Sequence, residues 1–157
     1  MTKKPLVISK SSGIIVIEFA VSMLVVVFML LIVAELGRIF YSYNVVTQSV
    51  RNGARYLSEN ALTPARVLDL NGTVLGETNN IVVTGQLNNG TPLLPGYNAS
   101  NISISSAVLS GSSNPYVTVA ASYNYIPLFS SIPNFWAGNN FNFQITLDAA
   151  NTMRAIR

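Results

Sequence analysis

From Ile14 to Ala34 the chain reads IIVIEFAVSMLVVVFMLLIVA, with one charge, Glu18, and one other polar residue, Ser22. At 1.5 Å per residue such a helix is roughly 30 Å long, enough to cross the hydrocarbon core of a bilayer. A buried soluble helix is the alternative for so apolar a segment, and the length disfavours it. After Ala34 the pattern changes. Leu36, Ile39, Tyr43, Val46, Val50, Ala54 and Leu57 recur at spacings of three and four, the period of a helix with one stripe against a core. Arg51 and Arg55 lie one turn apart, and Arg55 and Glu59 are spaced to pair. The pattern breaks between Asn60 and Pro64. It predicts one helix over 14–60, nearly 70 Å long at 1.5 Å per residue. Its first half is apolar all round, with a transmembrane segment at 14–35, and its second half is striped.

Beyond the break the elements are shorter. Residues 64–78 read as a short helix opened by Pro64, with Val67, Leu68 and Leu75 on its apolar face. Residues 81–87 read as a strand running into an Asn88-Asn89-Gly90 turn, and 101–109 as a strand with Ile102 and Ile104 on one face. Two later strands alternate regularly. Val117, Val119, Ala121, Tyr123 and Tyr125 share one side, and Phe141, Phe143, Ile145, Leu147 and Ala149 share another. One apolar face per strand predicts a small antiparallel sheet laid on the helix stripe, an α+β fold. The connections are rich in Asn, Ser, Gly and Pro, as exposed loops are. Phe135 and Trp136 lie in the loop over 127–140, where such a pair either tucks into the core edge or meets a partner.

Composition narrows the chemistry. The 157 residues are 50% hydrophobic and only 10% charged, with neither cysteine nor histidine. That excludes disulfides, thiol catalysis, Ser-His-Asp chemistry and His- or Cys-ligated metals. The net charge of +3 rests on Lys3, Lys4 and Lys10, and the remainder balances six bases against six acids. Basicity confined to the residues before an apolar span is a topology signal that keeps the N-terminus cytoplasmic. It is not the basic patch of a nucleic-acid binder, so no nucleic-acid partner is expected. The exported acids, Glu59, Asp69, Glu77 and Asp148, are few and scattered. No catalytic constellation, metal site or cofactor is expected, and the chain does not read as an enzyme. Sequons at Asn71, Asn89, Asn98 and Asn101 are what an Asn/Ser/Thr-rich chain throws up by chance.

The apolar run is too long for a cleaved secretory signal, and no A-x-A site follows it: the exit reads Ala34-Glu35-Leu36-Gly37-Arg38. A plain signal anchor leaves Glu18 unexplained, because a carboxylate in an apolar span is costly. The alternative for Glu18 alone is snorkelling to the headgroups. The surrounding residues, Gly13 followed by Ile14-Ile15-Val16-Ile17-Glu18-Phe19, resemble the G-x-x-x-x-E-F site of class III signal peptides. The resemblance implies cleavage by a prepilin peptidase between Gly13 and Ile14, with Glu18 and Phe19 as recognition residues. Glycine lets a protease approach the backbone closely. Cleavage would leave an ammonium on Ile14 for the Glu18 of a neighbouring subunit. Such charges about 4 Å apart attract by ~4 kcal/mol at an intermediate effective dielectric.

A second resemblance runs through the helix. Glu35-Leu36-Gly37-Arg38-Ile39-Phe40-Tyr41, then Arg51-Asn52-Gly53-Ala54-Arg55-Tyr56, resemble the E-x-G-R-x-x-Y and R-x-G-A-R-Y-A signatures of TadE-like proteins. These are pseudopilins, or minor pilins, of the tight-adherence (Flp, type IVc) pilus system. Leu57 stands where the family often has a small residue. Weaker likenesses follow in Pro92–Gly96, in Tyr125–Phe129 and in the Leu147–Arg154 close. The resemblance implies a pilin-like α+β fold, with a leader at 1–13, a long helix at 14–60 and an exported domain at 61–157. It implies partners too: a prepilin peptidase, other pilin or pseudopilin subunits, the inner-membrane assembly platform and membrane lipid. Glu35, Gly37 and Arg38 read either as an interfacial anchor, with Arg38 reaching phosphates, or as a contact to another pilin helix. Gly53 costs about 1 kcal/mol against alanine in mid-helix, which predicts close packing of the helix on the sheet.

Two functional readings follow. One is a pseudopilin inserted with its N-terminus inside, trimmed after Gly13 and acting in pilus assembly. The other is an uncleaved, membrane-anchored periplasmic binding module that uses the Trp136 loop or the 88–115 region.

Overall fold

In the computed structural model, residues 11–62, 68, 70–108, 115–128, 131–132, 141–142 and 144–156 are described. The element order is α1 (Ser11–Asn60), α2 (Gly72–Thr84), a 3-10 turn (Ala99–Asn101), β1 (Ile102–Ala107), β2 (Tyr116–Tyr125), β3 (Ser131–Ile132), β4 (Phe141–Asn142) and β5 (Ile145–Arg154). Compact packing divides the chain between Arg38 and Ile39. In the first unit the described side chains of α1 are exposed, apart from a half-buried Glu35. This is the segment whose length and hydropathy suit a membrane span.

In the second unit the rest of α1 packs on a three-stranded antiparallel sheet of order β1-β2-β5. The register runs from Ile102↔Ala121 to Ala107↔Tyr116 on one side of β2. On the other it runs from Tyr116↔Arg154 to Tyr125↔Ile145. The alternation of β2 falls as its sequence predicts, with Val117, Val119, Ala121, Tyr123 and Tyr125 all buried. On α1 they meet Val46, Val50, Ala54 and Leu57, also buried. Each valine or leucine among them contributes roughly 1.5–3 kcal/mol by leaving water. The expected helix stripe is corrected at its start. Leu36 and Tyr43 are exposed, and the inward positions are Ile39, Ser42, Val46, Ser49 and Val50.

Three other expectations shift. The short helix is not 64–78 but Gly72–Thr84; Pro64 and Val67 lie outside the described residues. Its start is set by Asn71, whose side-chain oxygen accepts from the Val74 amide at 2.9 Å, a standard N-cap. The expected strand over 81–87 is instead the last turn of α2 and its exit. Gly85, at φ +74°, is the left-handed cap that stops the helix. The expected strand over 141–149 is split. Phe141–Asn142 pairs with Ser131–Ile132, and the long strand begins at Ile145 and continues to Arg154. Phe143 and the Phe135–Trp136 pair lie outside the described residues.

Candidate functional site on the long helix

The motif residues all lie on α1, and the structure sorts them into three groups. The first is Gly13, Ile14, Glu18 and Phe19. All four are exposed, and Ile14 and Glu18 sit one turn apart on the same face. The Gly13–Ile14 bond lies within α1, whose described residues start at Ser11. A Cβ on Gly13 would meet nothing within 4 Å.

The second group is Glu35, Gly37 and Arg38. The Arg38 guanidinium lies 3.5 Å from the Glu35 carboxylate, an i,i+3 pair. An exposed pair of this kind is worth at most about 1 kcal/mol. Gly37 has open space where a Cβ would stand.

The third group, Arg51, Gly53, Arg55 and Tyr56, splits between two faces. Arg51 and Arg55 point outward, and the Arg55 Nε lies 3.1 Å from a Glu59 oxygen. Gly53 and Tyr56 face α2. A Cβ on Gly53 would collide with Cγ2 of Val82 and lie 3.6 Å from Cγ2 of Thr78. The close approach expected at Gly53 is therefore made by α2, not by the sheet. One turn on, the Tyr56 hydroxyl donates a short hydrogen bond to the Glu77 carboxylate. That bond, together with partial burial and the Glu77 charge, pushes the Tyr56 phenol up to about 12. The phenol stays protonated and serves as a donor, a holding contact between helices. Glu77 reads in the sequence only as a scattered acid, and its offset from Tyr56 carries no local signal.

Tyr97 is the residue that sequence patterning misses. It lies in the loop after α2 yet is fully buried. Its hydroxyl is 3.4 Å from the Ser49 Oγ of α1. Its ring meets Tyr123 of β2 edge-on, with centroids 5.6 Å apart. Burial raises the Tyr97 phenol above its ordinary value, and the Ser49 hydrogen bond partly offsets this. The Tyr123 hydroxyl in turn donates to the Pro95 carbonyl at 2.9 Å. Helix, loop and strand are thus locked through two tyrosines. Asp148 lies on the outer face of the sheet, opposite Ser122 in register, in a shallow groove with Ser103, Ala120 and Ala150.

The motif residues thus fall in two settings: an exposed apolar segment before Ile39, and a packed segment after it that meets α2 and the sheet. No curated protein and no solved structure significantly matches the chain. A family model described as TadE-like protein does match, over residues 13–55. That span takes in all three motif groups up to Arg55 and stops one residue short of Tyr56. In the stretch from Gly13 to Arg55, therefore, the chain is similar to TadE-like proteins.

Proposed function

We propose that this protein is a pseudopilin, or minor pilin, acting in the assembly of a tight-adherence (Flp, type IVc) pilus. It is a structural subunit rather than an enzyme, and it uses no cofactor. In this reading it sits in the inner membrane as a single-pass protein, its N-terminus cytoplasmic and its folded domain outside. A prepilin peptidase cuts between Gly13 and Ile14, and Glu18 and Phe19 mark the site. The partners are that peptidase, neighbouring pilin or pseudopilin subunits, the assembly platform and membrane lipid.

What carries the reading is one observation: the TadE-like match falls on a single helix. That helix is exposed and apolar over one half and packed against a folded domain over the other. A helix built to be pulled from lipid into a bundle of its own kind needs such a division. Glu18 is the one acid from Ile14 to Ala34, and it lies one turn from the expected new N-terminus. The test is the N-terminal residue of the protein isolated from membranes, by sequencing or intact mass. A start at Ile14 is expected. A start at Met1 in cells with active prepilin peptidase would sink the reading and leave an uncleaved anchored module.

A further inference from the structure

The second unit has two unlike ends. The distal end is fixed by the Ile156 amide, which donates to the Ser58 carbonyl at 2.9 Å. This ties the Tyr116–Arg154 end of the sheet to the last turn of α1. The other end of the sheet is the Tyr125–Ile145 pair. It lies toward the start of the packed part of α1, because Tyr123 meets Tyr97 and Tyr97 meets Ser49. From Tyr116 to Tyr125 the strand advances about 30 Å. The same distance along α1 back from Ser58 reaches about residue 38. A strand tilted by about 40° to the helix still reaches about residue 43. Residues Ile126 and Leu128, just past β2, therefore lie at the level of Ile39–Tyr43. Ile39 is where the chain enters this unit from the apolar segment.

Charge is divided in the same way. No Asp, Glu, Lys or Arg occurs from Ile39 to Val50, nor from Thr78 to Leu147. Arg51, Arg55, Glu59, Glu77 and Arg154 all belong to the distal half. The nearest charge on the sheet is Asp148, three residues in from Ile145 and on the outer face. The chain-entrance end instead exposes Phe40, Tyr41, Tyr43, Ile126 and Leu128. Aromatic side chains with a polar tip favour the boundary between hydrocarbon and water. An end without ions avoids the largest desolvation penalty, and its exposed aliphatic and aromatic groups gain by leaving water.

We propose that this end of the folded domain docks on the lipid surface from which its helix emerges, with Ile126 and Leu128 reaching into the interface beside Phe40 and Tyr41. The lipid surface is the occupant because the chain itself continues from this end into the apolar span. The inference rests on the membrane-anchored reading above. It adds that the domain rests on the bilayer by this end before assembly and must be lifted from it to join a filament.

The chain has no cysteine, so one introduced thiol takes one spin label. The full-length protein, one copy per lipid nanodisc, is labelled at Val26→Cys, Ile126→Cys, Leu128→Cys or Val108→Cys. Collisions with oxygen, which concentrates in lipid, are compared with those of a water-soluble nickel chelate. Val108 follows β1 at the distal end and is as exposed as the tested residues, 68% against 53% for Ile126 and 65% for Leu128. The ratio of oxygen to nickel collisions is expected to be severalfold higher at 126 and 128 than at 108. Equal ratios, with the Val26 label lipid-embedded, would overturn docking and leave the anchor intact. Labels at 126 and 128 shielded from both probes would overturn it in favour of a protein contact. A water-accessible Val26 label would overturn the anchor and docking together.

Discussion

Val82 of α2 sits directly over Gly53 of α1, with its Cγ2 occupying the space a side chain at 53 would need. Valine in a helix has one favoured rotamer, so it does not swing aside cheaply. Gly53→Ala gains about 1 kcal/mol of helix propensity. It pays more in overpacking, typically 1–3 kcal/mol. The expected net effect is a loss of about 1 kcal/mol, read by denaturant unfolding of the full chain in mild detergent. Val82→Ala alone opens a gap and costs about 2 kcal/mol. The double variant should recover part of both losses, because the new methyl fills the space the valine vacates. Strictly additive losses would show that the two residues do not meet.

Tyr56 and Glu77 tie the same helices one turn further on. Tyr56→Phe should cost about 1 kcal/mol, less than a fully buried bond to a charged group would, because water reaches the pair. The pH dependence has a definite sign. The folded phenol titrates near 12 against 10.0 for an ordinary tyrosine, so the folded state holds its proton more tightly. That stabilisation is complete below pH 10 and is lost as pH rises through about 12. Unfolding free energies at pH 8 and pH 11 should therefore converge for the wild type and Tyr56→Phe as pH rises. A gap that stayed constant would break the link to Glu77.

Tyr97 should be the most sensitive residue of the loops. Tyr97→Ala empties a fully buried site between Ser49 and Tyr123 and is expected to cost 3–5 kcal/mol, roughly that of other buried aromatics. Tyr97→Phe keeps the ring contact and removes only the hydroxyl. Ser49 still donates to the Val46 carbonyl at 2.9 Å, so the loss should stay near 1 kcal/mol, about one hydrogen bond. Thermal unfolding of the two variants side by side checks the ranking, and equal losses would contradict it.

These contacts mark what patterning along the chain can and cannot reveal. The long helix and the faces of β2 are legible because a single period runs through each, from Val46 to Leu57 and from Val117 to Tyr125. The end of α2 is not. Ile81-Val82-Val83-Thr84 is a β-branched run with strand propensity, yet it closes a helix because Val82 packs on Gly53 and Gly85 supplies the cap. Tertiary contact overrides local preference there. Asn71 was the available signal for the start of α2, and Pro64 outweighs it on sequence grounds alone. The TadE-like motif was legible as a string, but not that its Gly53 and Tyr56 face a second helix while Arg51 and Arg55 face outward. That division depends on Glu77 and Val82, more than twenty residues downstream.

Glu18 distinguishes an assembling subunit from a passive anchor. It is exposed on the apolar half of α1, one turn from Ile14, where a lone carboxylate is costly in lipid. Glu18→Gln keeps the size and removes the charge, so insertion should be unchanged or slightly improved, as judged by the membrane-bound fraction. If Glu18 neutralises the Ile14 ammonium of a neighbour, the variant forfeits an attraction of up to ~4 kcal/mol, less what desolvation already takes. Recovery of the protein with other pilin subunits, by co-purification after crosslinking, should then fall by about tenfold or more, the equivalent of at least 1.4 kcal/mol. Glu18→Asp retains the charge on a shorter arm and should fall between the two. Undiminished recovery of Glu18→Gln, with processing intact, would mean that the carboxylate merely snorkels to the headgroups and that subunit contacts lie elsewhere on the helix.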